Sequence, residues 1–249
     1  MAVERYPIGS SISLAEAEFL ENEPPINRRR LFLQAAENNQ IALVDHLLLC
    51  YPEQAFLAER NDNGQTALLL AAANGQVQML NYLLTHYPEQ VSLFERDNNE
   101  QTALLLAAAN GQVQMLDYLL THYPEQVSLF ERDNNGQTAL LVAAANGQVQ
   151  MLEHLLEVYP DQVSLAETDN NGRTALMLAT ENGREEMRAY LLARSSAQSS
   201  SSEALQPYRL SSSPLSFNAR PVEPRIEELP SLGEVDEEDV EEQHSGPSI

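Results

Sequence analysis

Few side chains in this chain could make or break bonds: five histidines, one cysteine and a serine-rich run from Ser195 to Ser202. His86 and His122 each stand before a Tyr-Pro pair at the end of an apolar helical pattern, where an imidazole can cap exposed carbonyls. Val158 stands where the series would place a third histidine, so a metal-ligand set is not expected. Cys50 has no second thiol, which excludes an intramolecular disulfide and a cysteine-based zinc site. The serine run has no paired base and reads as flexible linker. A phosphate-cradling glycine loop and a Gly-x-Ser-x-Gly turn are both missing. Neither catalysis nor a cofactor is expected, and the chemistry that remains is recognition.

Whatever does the recognising must be held by a repeated element. The decamer AAANGQVQML begins at Ala71, Ala107 and Ala143, a spacing of 36 residues. A fixed period of about 20 to 50 residues marks a stacked repeat architecture. Segments 64–99 and 100–135 differ at only two of 36 places, Gly64 against Glu100 and Asn81 against Asp117, while 136–171 is a looser copy. LFLQAAENNQIALVDHLLLCYPEQ upstream and NGRTALMLATENGREEMRAYLLAR downstream keep the apolar pattern. Five units are therefore expected over 28–195, at about 28–63, 64–99, 100–135, 136–171 and 172–195. A flank, 1–27, is expected to carry a short helix, and a tail, 196–249, to be disordered.

Within one unit, GQTALLLAAANG predicts a short helix capped by Thr66 and stopped at Asn74-Gly75. In QVQMLNYLLTHYP, Val77, Leu80, Leu83 and Leu84 form one stripe of a second helix, which Pro88 ends by pushing Tyr87 out of the helical region. The remaining EQVSLFERDNNG is a long loop whose final glycine can take the left-handed conformation. Such a helix pair cannot bury both faces alone, so copies must stack, and Ala71 and Ala72 are small where helices approach closely.

GQTALLLAAANGQVQMLNYLL resembles the ankyrin repeat, matching its Gly, Thr, Leu, Ala-Ala, Gly and Leu-Leu over about two thirds of the chain. The pattern's Pro is Ala67, Ala103, Ala139 and Ala175 here, and its His is Leu69, Leu105, Leu141 and Met177, so apolar contact is expected in place of that histidine's hydrogen bonds. The unit is three residues longer than the usual ~33. The extra length lies in HYPEQVSLFER, where Val91 and Leu93 are expected to tuck the loop onto the stack.

The resemblance implies an all-α ankyrin-repeat solenoid that is not an enzyme and binds a protein partner on a concave surface of loop tips and first helices. Carried onto matching positions, that surface would present Arg60, Asp62, Asn63, Gln65 and Asn74, then Arg96, Asn98, Asn99, Gln101 and Asn110, then Arg132, Asn134, Asn135, Gln137 and Asn146. Arginine suits bidentate pairing with carboxylates, and Phe94 and Phe130 could anchor a partner. Gln76, Gln112 and Gln148 are expected to lie away from the groove, where replacement would be silent.

Acidic residues outnumber basic ones 37 to 14, a net charge of −23, so nucleic acid and anionic membranes are not expected partners. No apolar run approaches the ~20 residues of a membrane span, and the first 25 residues carry glutamates where an export signal would be basic and apolar. A soluble, cytoplasmic monomer is expected. All 14 basic residues are arginine. That fits either biased codon usage or selection against acylation and ubiquitin attachment in a eukaryotic cytosol. In the tail, RLSSSP resembles sites read in phosphorylated form by arginine clusters. RIEELPSLGEVDEEDVEEQHSGPSI is similar to the Glu-rich C-terminal signals of effectors that intracellular bacteria deliver by type IV secretion. These features point to a delivered effector, with a substrate adaptor in a ubiquitin pathway as the alternative.

Overall fold

The computed structural model describes residues 12–203. The expected disorder, Ser-Pro motif and acidic address between 204 and 249 lie outside the described residues, as do the first eleven positions.

The described residues form eleven α-helices and no strand. A flanking helix α1 (Leu14–Asn22) precedes five helix pairs: α2 (Pro25–Glu37) with α3 (Ile41–Cys50), α4 (Ala67–Ala73) with α5 (Val77–His86), α6 (Ala103–Ala109) with α7 (Val113–His122), α8 (Ala139–Asn146) with α9 (Val149–Val158), and α10 (Ala175–Glu181) with α11 (Glu185–Glu203). Two ends differ from expectation. Proline at the first helical position starts α2 three residues early, at Pro25. Helix α11 runs on through the serine run to Glu203 rather than stopping near 195, so that part of the run is helix and not linker.

The first helices α2, α4, α6, α8 and α10 stack on one another in one layer, and α5, α7, α9 and α11 line up in a second. Thr66 and Thr102 sit in extended backbone, and each accepts a 3.4 Å bond from the N–H of Leu69 or Leu105. Beyond the caps, Ala67–Ala72 and Ala103–Ala108 are buried at every position, as a helix with neighbours on several sides requires. Alanine there lets backbones approach, and Leu69, Leu105 and Leu141 are fully buried where the family pattern has histidine. In the second layer the buried stripe is Met79, Leu80, Tyr82 and Leu83, with Val77 and Leu84 only partly covered. Val91, Leu93, Val127, Leu129 and Val163 are buried, so the enlarged loops are tied to the core by the residues expected to do it.

Candidate protein-binding surface

The projecting turns are built around a short polar side chain. Asp97 is 5 % exposed, and one of its carboxylate oxygens accepts the N–H groups of Asn99 (2.8 Å) and Gln101 (2.9 Å). Asn61, Asp133 and Asp169 do the same in their units. Each turn then rests on its neighbour: the N–H of Asn98 donates to Asn63 O at 2.9 Å, Asn134 to Asn99 O at 3.0 Å and Asn170 to Asn135 O at 2.9 Å.

Arg60, Arg96 and Arg132, expected to present charge to a partner, each also bond to the array itself through one guanidinium nitrogen. Arg60 donates to Gly64 O within its own turn and to Arg96 O in the next unit at 2.7 Å. Arg96 donates to Glu100 O (2.6 Å) and Arg132 O (3.1 Å), and Arg132 to Gly136 O and Thr168 O (3.0 Å). The arginines staple consecutive turns because a guanidinium has several donors and stacking brings a carbonyl of the next unit within reach. Thr168 stands at that place in the next copy, and Arg173, at the register of Gln101 and Gln137, pairs with Asp169 at 2.7 Å. Burial alone would raise the Asp169 carboxyl, but Arg173 and the two turn N–H groups outweigh it and hold it below the usual carboxylate range.

Asn110 and Asn146 cap their own first helices through Leu106 O and Val142 O, both at 2.9 Å, as Asn74 does through Leu70 O. Gln65 accepts from Asn61 at 3.1 Å, and Asn98 donates to Asp62 O at 3.0 Å. Gln101 and Gln137 are partly buried beside their turns, while the side chains of Asp62, Asn63, Asn99, Asn134 and Asn135 are exposed at the tips. A groove of about 370 Å3 opens between these turns and the first helices. Asn61, Asn63 and Gln65 form one wall, Leu70, Ala73, Asn74 and Asn110 the floor, and Arg30, Gln34 and Glu37 of α2 the other wall. The α2 residues were missed because Arg30, Gln34 and Glu37 stand where the next unit has Thr66, Leu70 and Ala73, so no repeated polar letter marks them.

The enlarged loops carry a second set. Glu95 takes the Ser92 N–H on one carboxylate oxygen (2.9 Å) and the Thr66 hydroxyl of the preceding first helix on the other. Glu131 clamps Ser128 and Thr102, and Glu167 clamps Ser164 and Thr138, in the same way. The clamp was legible only as an invariant Glu in each copy. It holds Phe94 and Phe130 at 67 % and 65 % exposure.

Among the second helices, His86 and His122 place Nδ1 3.0 Å from the carbonyls of Tyr82 and Tyr118 and stack on those rings, in keeping with a capping role. Gln148 was expected to be idle, but it donates to Ala109 O of the preceding unit at 3.2 Å, and Gln112 lies so close to Gly75 that a Cβ there would be 2.4 Å from its amide oxygen. These glutamines pack between units. Tyr82 donates to Asp45, and burial followed by that bond raises its hydroxyl well above the ordinary range, so it remains a protonated donor.

Helix pairs stacked in two layers, with stapled turns and a polar groove along the first helices, define a repeat scaffold. The model for ankyrin repeats (3 copies) matches residues 32–131 and 125–201, well over half of the chain, and the chain belongs to the ankyrin repeat family. Repeats of this family serve in general as protein–protein interaction scaffolds and are typically not enzymes. A search of the curated proteins finds no match. Among the described residues no helix is long and apolar enough to cross a membrane.

Proposed function

We propose that this chain is a non-enzymatic scaffold that captures a protein partner in the groove along its first helices, and that it works as a delivered effector in a eukaryotic cytosol. The observation that carries the binding half is the groove, in which polar groups from three units, α2 of the first among them, converge around Leu70 and Ala73. Delivery is supported by the Glu-rich C-terminal segment, by the absence of lysine and by two nearly identical units. The missing lysines equally favour a ubiquitin-pathway adaptor, which must avoid modifying itself.

Affinity capture from host-cell lysate tests the groove. The full chain is compared with an Arg30→Ala, Gln34→Ala, Glu37→Ala variant, whose three positions are exposed on α2. The partner should be lost with the melting point nearly unchanged, and capture at the wild-type level removes the groove from the proposal. Ligase subunits in the captured material would favour the adaptor. A translocation reporter fused to the chain should signal inside host cells, and signal that survives removal of residues 225–249 rules out that segment as the address.

A further inference from the structure

The enlarged loop displays an aromatic side chain on a turn that does not need it. In three successive units a serine hydroxyl accepts the N–H two residues later at 3.2 Å, and the clamping glutamate closes the same turn. The residue presented is Phe94, Phe130 and then Ala166. Ala166 shows that the turn forms equally well around a methyl group, so the phenyl rings are not there to fold the loop. Nor does the array lack means to bury phenylalanine: Phe32 and Phe56 stack at 5.2 Å and are almost fully covered. A ring held outward on a fixed turn is a pre-organised anchor, since little conformational freedom is left to lose on binding.

What stands beside the ring indicates the partner. Leu93, Phe94 and Arg96 border a cavity of about 330 Å3 whose opposite side is Pro124, Glu125 and Gln126 of the next unit. That opposite side lies in the stretch that lengthens this unit beyond the ordinary repeat. The arginine already donates to two backbone carbonyls, whereas Glu125 is exposed and makes no bond among the described residues. Asp161 occupies the register position relative to Phe130 that Glu125 occupies relative to Phe94. Each anchor is thus followed by a carboxylate one unit on.

We propose that Phe94 and Phe130, with Glu125 and Asp161, form a second docking surface, separate from the groove, for a linear segment of a partner protein that alternates apolar and cationic residues. It shares with the scaffold reading only the premise that partners are proteins. A net charge of −23 selects this occupant over the two others at hand, since a second copy of the chain or its own acidic C-terminal segment would bring like charge to the carboxylates.

The test is fluorescence anisotropy of the full chain with a labelled synthetic peptide of alternating arginine and leucine, and with its glutamate–leucine and arginine–serine counterparts. The arginine–leucine peptide should bind, and the double variant Phe94→Ala, Phe130→Ala should weaken it about tenfold with an unchanged circular dichroism spectrum. Glu125→Gln with Asp161→Asn should weaken it further and flatten its salt dependence. The α2 groove variant should bind it normally, which separates failure of this surface from failure of the groove. Arginine–leucine binding that ignores the phenylalanine substitutions would overturn the proposal by reducing the attraction to net charge. So would equal binding of the glutamate–leucine peptide, or arginine–serine binding that depends on the phenylalanines.

Discussion

The units 64–99 and 100–135 are near copies, and the two positions at which they differ are both used at a contact with the next unit. At the first, Gly64 (φ +78°) leaves room for the amide of Asn98, which donates to Asp62 O at 3.0 Å; a Cβ on Gly64 would lie 2.2 Å from that amide's oxygen. Glu100 holds the same left-handed conformation (φ +61°) with a side chain, and the matching bond from Asn134 to Asn98 O is absent among the described residues. At the second, Asn81 accepts from Tyr118 at 2.9 Å, whereas Asp117 meets His154 at 2.7 Å and Tyr159 at 3.0 Å. At the same register Asp45 accepts from Tyr82, so an acid at this position is met by tyrosine at one interface and by histidine at another. What a substitution at such a position meets is decided by the neighbouring unit, because the contacting residue belongs to it.

The largest effects should come from the turn acids. Asp97→Ala and Asp133→Ala each orphan two N–H groups in a half-buried turn and should lower stability by about 2 kcal/mol in chemical denaturation. Asp97→Ala should be the worse, since the turn it supports ends on Glu100 and not on glycine; equal losses would show that Glu100 is not strained. Next, the triple variant Arg60→Ala, Arg96→Ala, Arg132→Ala should lower stability by about 2 kcal/mol in total, each exposed or half-exposed staple counting for less than a buried one. An unchanged melting point would mean that the staples are incidental and that the arginines are free for a partner.

Glu100→Gly should raise stability by about 1 kcal/mol by relieving the positive φ and restoring the missing bond. Its exposed ion pair with Arg96, at 3.8 Å, is too weak to reverse the sign. A lower melting point would show that this pair outweighs the strain. The smallest effect belongs to the second difference. Asp117→Asn should cost about 0.5–1 kcal/mol beside His154, and most of that should return when His154→Tyr is added, which recreates the Asn81–Tyr118 contact one unit later. His154→Tyr alone should be nearly neutral, because Asp45 and Tyr82 already pair at this register. Additive losses would sever the two changes from one another.

The fold was legible because the same letters recur every 36 residues: the cap at Thr66, the alanine run, the proline after the second helix and the buried Val91 and Leu93 are all read from local pattern. The candidate surface was legible only in part. Pattern alone left Phe94 and Phe130 open between core and anchor, and the structure exposes both, while the tip asparagines are exposed and Asn74 and Asn110 line the groove. Arg30, Gln34 and Glu37 were not legible, because no repeat letter marks them.

The amino-acid sequence by itself determined which segments are helices, where they turn and that they stack, since propensity, capping and apolar periodicity act over a few neighbouring residues and the repetition states each of them several times. Only the tertiary structure decided which polar residues remain free. An arginine at the tip of a turn is the same letter whether it faces solvent or a carbonyl 36 residues away. The partner of Arg96 is Arg132 O, that of Asn98 is Asp62 O and that of Asp117 is His154, and each pairing exists only because stacking lays one unit against the next. Hydrogen bonds are short and directional, so a displacement of one unit by a few ångströms would free every one of these side chains without changing a single helix.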